Sequence, residues 1–316
     1  MTKIIGFKGA YADLLHNYVA FRQSLGFAMP ESSQRTLRHM AEYLYTLPLI
    51  PDVIDRERAE EISAKRQQES DRTRQSRYVV LRQFCLHLNR IGLKAYVPPP
   101  GLVRARIDFV PRIVSESEMA HIIAVAEKGT LQWPVMVLKI LWCTGIRIGE
   151  AAALKVGDFH EKRCALFIAH AKNDRSRIIP IHQSLAFDLS DYLLLHYVGA
   201  RPSDWLFPGN NPVAHHNKVA MGNRLRGIYR KAGILTQIGN PIRTHDLRHS
   251  FAIRVLENMV ECGQDIYVTL PYLSAYMGHA NIYDTEYYLR FLPSAHQSLI
   301  DCEQEVSRIV FGGDGA

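Results

Sequence analysis

The chain has 316 residues, 47% of them apolar and 22% charged, so it can bury a substantial core and is neither low-complexity nor disordered. Its 38 Lys+Arg against 31 Asp+Glu leave a net charge of +7, which favours a polyanionic partner, though weakly. No apolar run reaches the length of a membrane span, and the opening Met-Thr-Lys-Ile-Ile-Gly lacks a secretory stretch, so a cytoplasmic protein with no membrane partner is expected.

Four helices are predicted first. From Tyr11 to Leu25, the residues Leu14, Leu15, Tyr18, Val19 and Phe21 recur at helical spacing before Gly26. A second helix runs from about Ser33 through Leu37, Met40, Tyr43 and Leu44 until Pro48 and Pro51 break it. A charged third helix spans 56–69, and a fourth from Asp71 carries Tyr78, Leu81, Cys85 and Leu88 on one face as far as Gly92. Together these predict a small helical domain over residues 1–95. The stretch Tyr96-Val-Pro-Pro-Pro-Gly101 cannot be helical, and it opens a linker expected over 96–112.

Ser115-Glu-Ser-Glu118 resembles a capped helix start at the head of a second domain, 113–316. There, a helix through Met136, Leu138, Ile140 and Leu141 is expected to end near Thr144-Gly145, with another starting at about Arg147. The apolar runs 165–169 and 177–181 flank Lys172-Asn-Asp-Arg175 and predict a β-hairpin, with Pro180 confining its strand to a sheet edge. The remainder reads as mostly helical, so the fold class is mainly α with a small β-hairpin or sheet. Residues 1–105 hold 16 Lys+Arg against 10 Asp+Glu and the rest 22 against 21, so nearly all the excess charge sits in the helical domain and the start of the linker. Five widely spaced cysteines with no Cys-x-x-Cys pair predict reduced thiols rather than disulfides or a zinc site.

Four islands can carry chemistry. Thr144-Gly-Ile-Arg147-Ile-Gly-Glu150 holds an arginine at a tight turn, where it is either an anion ligand or an ion-pair partner of Glu150. Lys172 lies at the predicted hairpin tip, where it is either a solvated surface group or a mobile proton donor. In Thr244-His245-Asp-Leu-Arg248-His249, His245 and Arg248 share one helical face. Finally, Gly278-His279 precedes Tyr283, Tyr287 and Tyr288, any of which alone can be ordinary packing. Combined, two arginines, a lysine, two histidines and a tyrosine are the groups needed to cleave a phosphodiester without a metal. Forked guanidinium donors fit the non-bridging oxygens of a phosphorane-like transition state. A tyrosine hydroxyl of pKa ~10 needs base assistance to attack, and a lysine can protonate the departing 5′ oxygen.

This ordered set resembles the tyrosine recombinases, the phage-integrase and Xer group, over residues from about Ser115 to Arg290. The resemblance implies a two-domain protein, with a helical core-binding domain ahead of a mixed α/β catalytic domain. It implies Arg147 and Arg248 as phosphate clamps, Lys172 as general acid, His245 as general base and His279 as a phosphate-oxygen ligand. Tyr288 becomes the nucleophile that forms a 3′-phosphotyrosyl link, with the nine-residue step from His279 favouring it over Tyr287. The implied activity is site-specific DNA recombination (integration, excision or transposition) with no cofactor and no metal. The longer interval between the two histidine motifs is similar to the transposon-borne branch.

In this reading the linker lets the two domains close on double-stranded DNA, with Arg74 and Arg77 of the fourth helix, and Arg35 and Arg38 of the second, as candidate DNA contacts. No separate arm-site domain is expected, because the helical domain begins almost at residue 1. An amphipathic tail over 294–311 is expected to dock on a neighbouring protomer, linking activity to a homotetramer on two duplexes. Alternatives are a type IB topoisomerase-like enzyme, a non-catalytic DNA-binding relative, and a metal-dependent nuclease built on His215 and His216.

Overall fold

The computed structural model describes residues 6–9, 11–27, 29–45, 52–105, 110–169, 176–209 and 214–292. The chain divides into two compact units, Met1–Phe109 and Val110–Ala316. The first holds α1 (Ala12–Ser24), α2 (Glu31–Tyr45), α3 (Arg56–Ser63) and α4 (Asp71–Arg90). A short parallel pair, β1 (Asp52–Ile54) and β2 (Lys94–Ala95), accompanies them. The apolar stripes meet in one core: Leu15, Tyr18 and Val19 of α1, Leu37, Met40 and Leu44 of α2, and Leu81, Phe84, Cys85 and Leu88 of α4. Short helices are marginal alone, and burial worth about 1.5–3 kcal/mol per large apolar side chain is what holds them.

Two details depart from the sequence reading. The third helix stops at Ser63, short of the expected end at Glu69, because the chain beyond it turns back against α4: Arg77 donates to the Ala64 carbonyl and to the Glu69 carboxylate. The expected linker is held down where it begins, since Tyr96 and Val97 pack on the core and the Tyr78 hydroxyl donates to the Pro99 carbonyl at 2.6 Å.

The second unit contains α5 (Glu116–Glu127), α6 (Trp133–Thr144) and α7 (Ile148–Ala152), then β3 (Phe159–His160), β4 (Ala165–Ile168) and β5 (Arg177–Pro180). It continues with α8 (Gln183–His196), α9 (Lys218–Lys231), α10 (Thr244–Glu261), α11 (Ile266–Met277), α12 (Tyr283–Glu286) and a 3-10 turn over Tyr287–Phe291. Ser115 and Glu118 form a reciprocal capping box at the start of α5. The strands make an antiparallel sheet in the order β3-β4-β5, with Leu166 opposite Ile179 and the proline-bearing β5 at an edge. The main core gathers α6, β4, β5, α8 and α9 around Leu138, Leu141, Leu166, Ile179, Leu189 and Leu225. A second cluster joins Phe251 and Leu256 of α10 to Leu270, Leu273 and Met277 of α11, together with Tyr288 and Leu292.

Among the described residues no helix is long and apolar enough to cross a membrane, and Cys85, Cys143, Cys164 and Cys262 are unpaired.

Candidate active site

Arg147 stands at the N-cap of α7 in extended conformation, immediately after the turn that ends α6. The turn depends on Gly145, whose φ of 60° is left-handed, and an added Cβ would come within 2.4 Å of the Phe251 ring. Glu150, at the third position of α7, accepts the Arg147 backbone N–H at 3.0 Å and its Nη1 at 3.0 Å. Arg147 Nη2 donates to the Gly278 carbonyl at 3.2 Å, yet the side chain keeps 26% of its surface exposed.

Arg248 comes from the first turns of α10 and is 2% exposed. Its Nη1 donates to the Gly145 carbonyl at 2.7 Å and its Nη2 to the Met277 carbonyl at 2.8 Å. Burial, with Arg147 nearby, lowers its pKa to about 10, so it remains a cation at neutral pH. His245, three residues earlier, is open to solvent. Desolvation by the surrounding protein, then Arg248 and Arg147, lowers its pKa to about 4, leaving a neutral imidazole able to take a proton. His279 follows the turn after α11; its Nδ1 lies 2.6 Å from the buried Thr285 hydroxyl, and burial and the arginines hold it at about 3.

Tyr288 is 3% exposed, its ring 6.3 Å from His279 and 5.5 Å from His249. Burial raises the phenol's pKa, while Arg248, through charge and a hydrogen bond, and Arg147 pull it back down. Tyr287 stands half-buried beside it, ring centroids 6.0 Å apart. The fold thus gathers Arg147, His245, Arg248, His279 and Tyr288 from α7, α10, the turn after α11 and the 3-10 turn. Lys172 lies outside the described residues.

Sequence reasoning missed Arg177, read only as a strand residue. Its Nη1 and Nη2 donate to Glu150 at 3.3 and 2.9 Å, and its Nε donates to the Tyr276 carbonyl at 2.8 Å. A single cation opening an otherwise apolar strand was the available signal. His249 and Thr285 were also passed over: the first stacks edge-on to His245 at 4.7 Å, and the second fixes His279.

The arginines proposed for DNA contact in the first unit differ in placement. Arg77 is turned inward, its side chain 5% exposed and paired with Glu69 at 2.7 Å, so it staples the loop before α4 and does not face a groove. Arg74 is half-buried, with Nε on the Ser63 carbonyl at 2.9 Å. Arg35 and Arg38 are exposed, Arg35 in a pair with Glu31. His216 packs on Trp133 and His215 on Trp205, and among the described residues no group of three His, Cys, Asp or Glu can hold a metal ion.

The pattern of residues 112–294 matches the Phage integrase family. The chain is 29% identical over 309 residues to the integrase/recombinase y4rB of Sinorhizobium fredii, covering 90% of this chain and 93% of that protein. It is 27% identical over 296 residues to the tyrosine recombinase XerD of Listeria innocua, covering 87% and 92%. Among solved structures, the fold is similar to that of the Tn1549 transposon integrase in complex with transposon right end DNA, with TM-score 0.67, 15% identity, and 92% and 99% coverage. It is also similar to the XerH recombinase bound to palindromic difH substrate, with TM-score 0.65, 18% identity, and 96% and 85% coverage.

Proposed function

Because the chain belongs to the phage integrase family, as a tyrosine recombinase acting in site-specific DNA recombination, we propose that Tyr288 is its nucleophile. The observation that carries this is the placement of one buried phenol beside the His249 and His279 rings, with the Arg248 and Arg147 guanidiniums next to it.

The DNA phosphate binds between Arg147 and Arg248, with His279 on a non-bridging oxygen. Tyr288 Oη attacks phosphorus as His245 takes the phenolic proton. The bond to the 5′ oxygen breaks, and Lys172 supplies the proton that oxygen needs. A 5′ hydroxyl of the partner duplex then reverses these steps, and one phosphoester replaces another of similar energy, so no nucleotide cofactor is consumed. The substrate also tunes the base. Desolvation first, and then Arg248 and Arg147, hold His245 at about 4; a bound phosphodiester brings one negative charge to those two cations, so the pKa rises when a proton must be accepted.

Arg35, Arg38 and Arg74 add backbone contacts from the helical unit, which carries most of the excess positive charge. The boundaries 1–95, 96–112 and 113–316 are the functional division, with the linker letting both parts close on the duplex. The tail from Ser294 onward, outside the described residues, joins protomers into a homotetramer on two DNA sites.

The test uses a pool of nicked duplexes with randomised arms, incubated with the full chain in EDTA and resolved on a denaturing gel. A covalent adduct is expected that survives Tyr287→Phe, disappears in Tyr288→Phe and enriches one sequence on repeated selection. A requirement for magnesium, or an adduct retained in Tyr288→Phe, overturns the mechanism. Two labelled copies of the selected site should exchange strands; relaxation of supercoils without exchange would instead mark a topoisomerase-like enzyme.

A further inference from the structure

At the end of α11 each carbonyl from Ser274 to Gly278 has a partner. Gly278 N–H bonds the Ala275 carbonyl and His279 N–H bonds that of Ser274, the two backbone closures of a Schellman turn. The next three carbonyls each go to a different arginine: Tyr276 to Arg177, Met277 to Arg248 and Gly278 to Arg147. The negative end of the helix dipole favours this convergence. Two of these guanidiniums are the proposed phosphate clamps. The third is not free for DNA, since its side chain is 12% exposed and its donors are directed at Glu150 and Tyr276.

Glu150 links the third to the first. One carboxylate, 7% exposed, accepts from both Arg147 and Arg177. Two cations sharing one anion leave a net positive charge. Without Arg177, Glu150 would neutralise Arg147 one to one, and the guanidinium that must attract a phosphate would face a full counter-ion at 3.0 Å. The turn leaves the Arg177 guanidinium its place only because residue 278 is glycine: a Cβ there would lie 2.7 Å from Nη1.

We propose that Arg177 is a positioning residue for strand cleavage, holding Glu150 and the end of α11 so that Arg147 meets the phosphate charged and in a fixed place. The inference rests on the reading that Tyr288 attacks a phosphate clamped by Arg147.

The experiment is single-turnover adduct formation on the duplex selected above, at saturating DNA, with Kd followed separately by gel shift. Arg177→Ala is expected to slow cleavage by at least ~10-fold while Kd changes less than ~3-fold, and Arg177→Lys, which keeps the charge but loses the fork, to recover part of the rate. Coupling is the decisive readout: in an Arg147→Ala background the same replacement should cost less than ~3-fold, because its effect passes through Arg147. A residue that merely supports the fold would lower the melting temperature and multiply with Arg147→Ala. Wild-type cleavage in Arg177→Ala, a loss confined to Kd, or equal losses in both backgrounds overturn the proposal. Should Arg177→Ala fail to fold, the Arg177→Lys cycle decides by the same criterion. If the wild-type chain forms no Tyr288-dependent adduct, the functional reading fails and this proposal falls with it; an adduct indifferent to Arg177 removes this proposal alone.

Discussion

Mild acid should destabilise the second unit before its carboxylates titrate. His249 is 7% exposed and His279 half-buried, and burial with neighbouring charged groups holds both imidazoles at about 3. In the unfolded chain a histidine titrates near ~6.5, so below that pH the unfolded state binds protons that the folded state refuses. The stability these groups contribute is therefore complete above pH ~6.5 and is lost as pH falls towards ~3. At pH 5 the gap of ~1.5 units amounts to about 2 kcal/mol for His249. His279 partly meets water and is assigned about half as much, ~1 kcal/mol, while solvent screens the exposed His245.

A loss of about 3 kcal/mol between pH 7 and pH 5 is thus expected. Tryptophan fluorescence reads it selectively, since Trp133, Trp142 and Trp205 all lie in the second unit. Urea midpoints should fall from pH 7 to pH 5 at constant slope, and His249→Phe should remove about 2 kcal/mol of that pH dependence. Midpoints that stay put, or a pH slope unaffected by His249→Phe, would refute the reasoning.

Other expectations are as direct. Arg147→Ala or Arg248→Ala should each slow adduct formation by at least ~10²-fold at saturating DNA, the scale for losing one transition-state donor. Lys172→Ala should be slow on ordinary DNA but close to wild type on a duplex whose bridging 5′ oxygen is sulfur, because a thiolate leaving group of pKa ~8.5 needs little help from an acid. Gly145→Ala, strained at φ 60° and driven into Phe251, should cost at least about 1–3 kcal/mol in urea unfolding. Arg77→Ala should destabilise the first unit by about 3 kcal/mol by leaving Glu69 buried without its partner, whereas the exposed Arg35→Ala should change stability by less than about 1 kcal/mol and be seen only in DNA affinity.

Periodicity carried most of the fold. The helices of both units, the hairpin of β4 and β5 and the edge position of Pro180 all follow from local patterns that burial then reinforced. Pairs such as β1 with β2 were not legible, because two or three residues show no alternation and their partners lie some forty residues apart. The short motifs named Arg147, His245, Arg248, His279 and Tyr288, and the structure assembles them. Arg77 misled for an instructive reason: an arginine near a helix start looks the same in sequence whether its carboxylate partner is absent or folded over it, and Glu69 is supplied by a loop. Arg177 escaped because its significance comes from Glu150 and Tyr276, 27 and 99 residues away along the chain.

The three arginines at the end of α11 are tied to consecutive backbone carbonyls, not to flexible side chains. The Tyr276 and Met277 carbonyls belong to the last turn of the helix, and the third follows at the left-handed Gly278 that ends it. The helix serves as a ruler. The spacing of the anchors for the proposed phosphate clamps is set by the backbone at this helix end, which changes in its exposed side chains do not rewrite. Such changes can repaint that helix's surface freely while the calibration of the cutting site stays the same.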